Sequence, residues 1–413
     1  MYTLDIIKKI NLCKRLTPHH QSLGSIVDPD GEIIDRAMVV FHPGPMSYTG
    51  EDLAEISCHG NPLVVDRVME AISSTGLARM AYKGEFTRRA FLNGKMDLVQ
   101  AEAVGALIGS SSTSGCSMAH ALLKGELSSR ILSMREDLLG LLADIEASFI
   151  TEDEPLDLDG AVQKLSDINI QISELVRNAD QAKSIYAGIV TTIAGMPNVG
   201  KSSLFNAILG YNRAIVHHEE GTTRDVLKEH LNIQGLDFVF HDTAGIRVTA
   251  SGPERMGVEK TIEALSSSDL VLYVADAREG IRPHEAQWLS LAERTIVVMN
   301  KMDLHEGTPQ AVEGYDTVCV SAKYSVGIED LLGAMKRAFH HDNTLIFMEK
   351  HAYQLGRALA SIQSCLQTIR EGYTQDVLAI DLMHAVEYLG QMTGEVIDDD
   401  ILERIFSRFC IGK

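Results

Sequence analysis

Residues 189–209 read IVTTIAGMPNVGKSSLFNAIL. The β-branched run Ile189–Ala194 predicts a strand, and Lys201–Leu209 predicts a helix. Between them, Gly195-Met196-Pro197-Asn198-Val199-Gly200-Lys201-Ser202 has the GxxxxGKS spacing of a phosphate loop. Such a loop cradles phosphates with successive main-chain N–H groups at a helix N-terminus. Asn198, Val199, Gly200 and Ser203 belong to this cradle. Lys201 is placed to reach the β- and γ-phosphates, and the Ser202 hydroxyl to bind Mg²⁺.

Downstream, short β-branched runs alternate with helical stretches to about Phe339. Strands are predicted at Ile189–Ala194, Phe238–His241, Leu270–Ala275, Ile296–Asn300 and Val318–Val320. Helices fit at Lys201–Leu209, Glu254–Ser267 and Ile328–Phe339. This alternation predicts a mostly parallel sheet with helices on both faces. Three further motifs end three of these strands. Asp242-Thr243-Ala244-Gly245 offers an acid that holds Mg²⁺ directly or through water, and a Gly245 amide that contacts the γ-phosphate. In Asn300-Lys301-Met302-Asp303, the Asp303 carboxylate can accept from guanine N1–H and the 2-amino group, a donor pair that adenine lacks. In Ser321-Ala322-Lys323, the Ala322 amide faces guanine O6. Each match is weak alone; in this order, at strand C-termini, they specify a GTP site.

Gly221-Thr222-Thr223-Arg224-Asp225 lies between the phosphate loop and the DTAG strand. Thr223 is the favoured completion of the Mg²⁺ shell, against an ordinary loop threonine. The residue after DTAG is Ile246, where many GTPases place a water-orienting glutamine. Isoleucine cannot orient water, so catalysis needs another residue, a partner or an ion.

The 413 residues suffice for two or three domains. The 45% hydrophobic and 23% charged composition is that of a globular protein. No apolar run reaches a membrane span, and the start lacks the apolar core of a signal peptide, so a cytoplasmic protein without membrane contact is expected. A net charge of −20 argues against broad, non-specific nucleic-acid binding. The six cysteines, at 13, 58, 116, 319, 365 and 410, form no CxxC pair and fit neither a zinc site nor a disulfide framework.

Residues 1–92 mix strand-like runs (Ala37–Phe41, Leu53–Cys58) with turns at Asp28–Gly31 and His42–Pro45, and one helix near Pro62–Ser73. From about Asp97 the chain turns helical. Leu127, Ile131, Met134, Leu138, Leu141 and Ile145 recur at spacings of three and four, the apolar face of one long helix. The acidic stretch Thr151–Gly160 reads as a solvated loop. A second helix is predicted over about Ala161–Ile185, and the chain is helical again after about Leu345. Helical segments flank the α/β region on both sides, as in a bundle interrupted by an inserted domain.

The chain resembles the MnmE (TrmE) family of tRNA-modification GTPases over nearly its whole length. The resemblance rests on MPNVGKSSLFNAIL, GTTRDV and DTAGIR. It rests more specifically on SYTGEDLAEISCHGNP (Ser47–Pro62), KGEFTRRAFLNGKMDLVQAEA (Lys83–Ala103) and RIFSRFCIGK (Arg404–Lys413), which related GTPases such as Era and Der lack. It implies a multidomain α/β plus α fold. Residues 1–92 would be a small α/β folate-binding and dimerisation domain, with the family's first strand missing. Residues 93–187 and 340–413 would form a discontinuous helical domain, and residues 188–339 an inserted Ras-like P-loop GTPase domain.

The resemblance implies a homodimer that works with the FAD protein MnmG, in a heterotetramer or larger complex, on the wobble uridine of certain tRNAs. GTP, Mg²⁺, K⁺ and a 5-formyl- or methylene-tetrahydrofolate would be the cofactors. K⁺ would be held by Asn198 and the main chain of His217, Glu219 and Thr222. This loop reads VHHEE where relatives usually carry a VSDIPG-like sequence. Glu254 would position the attacking water; read from the residues alone it is more readily an acid favoured near a helix start. Glu85, Arg89 and Lys95 are folate-site candidates, or else structural charges. Cys410 would be a reactive thiol or a buried structural one. The alternative function is a regulatory GTPase switch in ribosome assembly or stress signalling, without folate chemistry.

Overall fold

Along Ile33–His42, buried Ala37, Val39 and Phe41 recur at every second residue. That period places them on one face of a strand. The computed structural model of the protein describes residues 2–11, 16–110, 112–150, 157–177, 179–211, 229–240, 262–307, 309, 311–339, 348–372, 375–396, 399–407, 409 and 412. The chain forms two compact units. One comprises Met1–Gly105, Leu122–Asp137 and Val386–Lys413; the other comprises Ala106–Ala121 and Leu138–Ala385.

In the first unit, β1 (Ser22–Val27), β2 (Ile33–His42) and β3 (Leu53–Ser57) form an antiparallel sheet in that order. Asp28 closes the β1–β2 turn: its Oδ1 accepts from the amides of Asp30 at 3.1 Å and Glu32 at 2.9 Å. The apolar face packs on Ile7 and Val68, from the helices Thr3–Ile10 and Pro62–Ser74. Asn61 caps the second helix through Leu63 N at 3.0 Å, with proline at its first position.

Neither β1 nor the helices Thr3–Ile10 and Glu85–Leu92 was assigned from sequence. The first of these helices buries only Ile7 and Ile10, with two lysines between them. A single apolar spacing of three is too little periodicity to read. A second cluster in this unit joins Leu98 and Ala101 to Leu402, Phe406 and Phe409 near the C-terminus.

In the second unit, β4 (Ile189–Ala194), β5 (Glu229–Ile233), β6 (Leu236–Phe240), β7 (Leu270–Asp276), β8 (Thr295–Asn300) and β9 (Asp316–Cys319) form one sheet of order β5-β6-β4-β7-β8-β9. Only β5–β6 is antiparallel. Every residue of β7 is buried. Leu270, Leu272 and Val274 face the core under helices Lys201–Tyr211 and Ile328–Ala338. Val271, Tyr273 and Ala275 face the opposite core with Leu265 and Leu289. A parallel strand covered on both sides must be apolar throughout, which is why it read as a continuous run. The strand β5 was missed; its EHLNI sequence alternates polar and apolar residues only briefly.

The long helix is Glu126–Ile150, and all six apolar positions of the predicted face are at most 3% exposed. The helix expected over Ala161–Ile185 is two helices, Leu158–Arg177 and Ala179–Ala187. Buried residues keep a spacing of three or four from one to the other (Ile172, Leu175, Ala179, Ala182), and Asn178 between them lies outside the described residues. Leu158–Arg177 packs along Glu349–Glu371, burying Leu165, Ile168 and Ile172 on one side and Leu355, Ala358 and Ile362 on the other. No helix among the described residues is long and apolar enough to cross a membrane.

Candidate functional site

In the sheet, β4 lies between β6 and β7. The chain leaves β4 toward one edge and returns to β7 on the other side, so a crevice opens at the C-terminal ends of these two strands. The phosphate loop follows β4 at this point. Gly195 has φ +139°, and a Cβ there would lie 2.1 Å from the Val274 carbonyl oxygen. Gly200 has φ +99°, and its Cβ would lie 2.3 Å from Asn300 Nδ2. Both positions therefore require glycine. The loop turns through Asn198, a non-glycine residue in the left-handed region at φ 65°.

Lys201 opens the helix Lys201–Tyr211 and folds back over the loop. Its Nζ donates to Gly195 O at 2.8 Å and Met196 O at 2.9 Å. An ammonium has three donors, so a third N–H remains for a phosphate oxygen. Burial pulls the Lys201 pKa below its ordinary 10.5. Ser202 and Ser203 are exposed in the first helical turn.

Two bonds tie the Asn300–Asp303 loop to the phosphate loop, and a third ties it to the Ser321–Lys323 turn. Asn300 Nδ2 donates to Val199 O at 2.9 Å. Lys301 Nζ donates to Asn198 O at 2.6 Å. Asn300 Oδ1 accepts from Ala322 N at 3.0 Å, so the amide expected to face guanine O6 is engaged with Asn300 in this structure. Ser321 Oγ donates to Asp303 Oδ1 at 2.6 Å, which orients the carboxylate and leaves its other oxygen for the base.

Sequence reading missed Asp276 and Arg278. Asp276 ends β7 beside the crevice and takes a bond from Lys301 Nζ at 3.0 Å. Arg278 grips the same carboxylate through Nε at 3.0 Å and a terminal nitrogen at 2.7 Å. Arg278 first, then Lys301, holds the Asp276 carboxyl well below the usual carboxylate range. The available signal was an acid at the C-terminal end of a parallel strand, where ligands bind in such sheets.

The folate-site candidates in the first unit form a charge network. Glu85 accepts two bonds from Arg79, at 2.8 and 2.9 Å, and one from Arg89 at 2.6 Å. These arginines, Arg79 foremost, hold the Glu85 pKa at about 2. Arg89 also donates to Glu51 at 2.8 Å, and Lys95 Nζ donates to Pro45 O at 3.0 Å. The sequence named Glu85, Arg89 and Lys95 but neither Arg79 nor Glu51, which the fold brings in from 6 and 38 residues away.

His217, Glu219, Gly221, Thr222, Thr223, Asp242, Gly245, Glu254 and Cys410 lie outside the described residues. Among the described residues, no group of three or more His, Cys, Asp or Glu side chains could hold a metal ion.

Two family models match the chain. The "GTP-binding protein TrmE N-terminus" covers residues 2–95, and the "MnmE helical domain" covers residues 98–410. The second alone accounts for more than half of the chain. The chain belongs to the MnmE family. Its similarity to individual members covers most of both chains. It is 39% identical to the tRNA modification GTPase MnmE of Aquifex aeolicus (strain VF5), over 99% of this chain and 94% of that protein. It is 40% identical to the protein of that name from Synechococcus sp. (strain JA-2-3B'a(2-13)), over 96% and 88%. The MnmE of Finegoldia magna (strain ATCC 29328 / DSM 20472 / WAL 2508) is 37% identical over 99% and 93%.

Proposed function

We propose that this MnmE-family chain hydrolyses GTP to drive modification at carbon 5 of the wobble uridine of certain tRNAs, with the FAD protein MnmG as partner. The observation that carries the GTPase part is the junction of Asn300 and Lys301 with the phosphate loop: it sets a guanine-reading loop and a phosphate cradle at one crevice. The family segments shared with tRNA-modification GTPases support the tRNA part.

The glycines at 195 and 200 leave room for a phosphate to approach the main chain. Lys201 would hold the β- and γ-phosphates with its remaining N–H. Asp303, steadied by Ser321, would accept from guanine and discriminate against adenine. Ser202, exposed on the first helical turn, fits a Mg²⁺ ligand, with Thr223 as the other and Asp242 acting through a water. Asn198, exposed at the loop tip, fits a K⁺ ligand, with main-chain oxygens of His217, Glu219 and Thr222. Bound Mg²⁺ and K⁺ would supply positive charge against the oxygens that become negative as the γ-phosphoryl group leaves. Glu254 would orient the attacking water in place of the side chain that Ile246 cannot provide.

For folate, Arg89 and Lys95 are the cations that would meet the glutamate carboxylate of the cofactor. Arg89 is already shared between Glu85 and Glu51, so an incoming carboxylate takes the place of the more exposed Glu51. We assign residues 1–92 to folate binding and dimerisation, 93–187 and 340–413 to the helical domain, and 188–339 to the GTPase domain.

Two measurements test this reading. Hydrolysis in KCl should exceed hydrolysis in NaCl at matched ionic strength; equal slow rates would remove K⁺ from the mechanism. Deletion of the gene should leave the wobble uridine unmodified in the tRNA pool, and unchanged modification would refute the tRNA role.

A further inference from the structure

Asp276 belongs to none of the nucleotide motifs, yet it joins two of them. It is 5% exposed at the end of β7. Its Oδ2 accepts from Lys301 Nζ at 3.0 Å and from Arg278 at 2.7 Å; its Oδ1 accepts from Arg278 Nε at 3.0 Å and Arg278 N at 3.1 Å. The Lys301 ammonium, held there, reaches Asn198 O at 2.6 Å. Asn198 and Lys301 both occupy the left-handed region, at φ 65° and 66°. Non-glycine residues persist there only when their surroundings over-determine them. The carboxylate lies between the two cations and holds the Lys301 ammonium where it reaches Asn198 O.

The consequence for a nucleotide follows from its length. The base is held by the Asn300–Asp303 loop and the phosphates by Gly195–Ser202, so the two loops must stay at one separation while both ends are bound. We propose that Asp276 is a positioning residue of the nucleotide site: through Lys301 it fixes the guanine-reading loop against Asn198 of the phosphate loop, and so sets how long a guanine nucleotide remains bound. This rests on the guanine-nucleotide reading above. The alignment of Asn198, the proposed K⁺ ligand, depends on the same tether.

Removing the carboxylate leaves Arg278 and Lys301 as adjacent like charges, and Lys301 is pushed toward solvent. Removing Arg278 as well relieves that repulsion. The effect should fall on departure of the ligand rather than on its encounter.

The experiment is stopped-flow dissociation and association of a fluorescent GDP from the full chain, for wild type, Asp276→Ala, Asp276→Asn and Asp276→Ala/Arg278→Ala. Asp276→Ala is expected to release GDP roughly tenfold faster, equivalent to about 1.4 kcal/mol, with association unchanged within about twofold. The double variant should release it more slowly than Asp276→Ala alone, a non-additivity that a general loss of stability would not produce. Asp276→Asn keeps shape and an acceptor oxygen; it should fall between wild type and Asp276→Ala, and it decides the matter if the alanine variant does not fold. Release rates within about twofold of wild type in Asp276→Asn and any folded alanine variant would overturn the proposal. A wild-type chain that holds no guanine nucleotide would instead overturn the reading on which the proposal rests.

Discussion

Asn300 and Val199 stand 101 residues apart and are joined by a bond of 2.9 Å from the asparagine amide to the valine carbonyl. Asn300 is 2% exposed, and its other side-chain atom takes the Ala322 amide at 3.0 Å. One side chain thus connects the phosphate loop, the end of β8 and the Ser321–Lys323 turn. Asn300→Ala leaves two buried main-chain groups without their partner, at about 1–3 kcal/mol each. GDP affinity should fall by at least about tenfold, and the melting temperature without nucleotide should drop. Isothermal titration and thermal unfolding read the two effects; unchanged affinity would show that the junction does not shape the site.

Gly200→Ala brings a methyl group to 2.3 Å from Asn300 Nδ2, at a φ of +99°. The strain of that backbone, about 1–3 kcal/mol, adds to the displacement of Asn300. Nucleotide binding should be lost while the α/β domain stays folded. Retention of GDP on a desalting column would contradict this.

Asp303→Asn exchanges one acceptor oxygen for a donor facing the 2-amino group of guanine. Ser321 already takes Oδ1 at 2.6 Å. The mismatch leaves buried polar groups unpaired, so GTP should bind at least ~100-fold more weakly. Xanthosine triphosphate carries an oxygen in place of the 2-amino group, and it should become the better ligand. Competition between the two nucleotides gives the answer directly.

Glu85 has its pKa depressed from the ordinary 4.5 to about 2, first by Arg79 and then, against burial, by the Tyr82 amide and Arg89. A depressed carboxylate stabilises the folded state above its unfolded pKa and loses that contribution as pH falls through the folded one. The first unit should therefore lose stability between about pH 5 and pH 2. Glu85→Gln should remove this part of the acid sensitivity and cost about 1–2 kcal/mol at neutral pH, a value reduced because Arg79 and Arg89 are half exposed. Thermal unfolding of both proteins across that pH range tests the sign.

Cys365 is fully buried, and burial pushes its thiol up to about 12. The thiolate is the nucleophile, so Cys365 should resist alkylation in the native protein and react only on unfolding. Half-buried Cys58 serves as the internal comparison. Peptide mapping after iodoacetamide treatment distinguishes them, and rapid labelling of Cys365 would indicate local opening of the helices around it.

Much of the nucleotide domain was legible because its signals are local. The phosphate loop is eight consecutive residues whose glycines and lysine act through the main chain nearest them. The buried strands β4, β7 and β8 are runs of β-branched and apolar residues because helices cover both faces. The long helix Glu126–Ile150 showed a full apolar face. Elements with short or polar sequences were not legible: β1, β5 and the helix Thr3–Ile10 owe their conformation to the surfaces they cover.

By itself, then, the sequence determined which family this chain belongs to and where its GxxxxGKS and NKMD motifs lie. These properties depend on contiguous residues. Only the tertiary structure decided that Asp276 and Arg278 anchor Lys301, that Ala322 N is engaged by Asn300, and that Arg79 and Glu51 complete the network around Glu85 and Arg89. The decisive contacts, Lys301 with Asp276, Asn300 with Ala322 N and Arg89 with Glu51, join residues 25, 22 and 38 positions apart, and no spacing along the chain encodes a bond whose two ends meet only after folding.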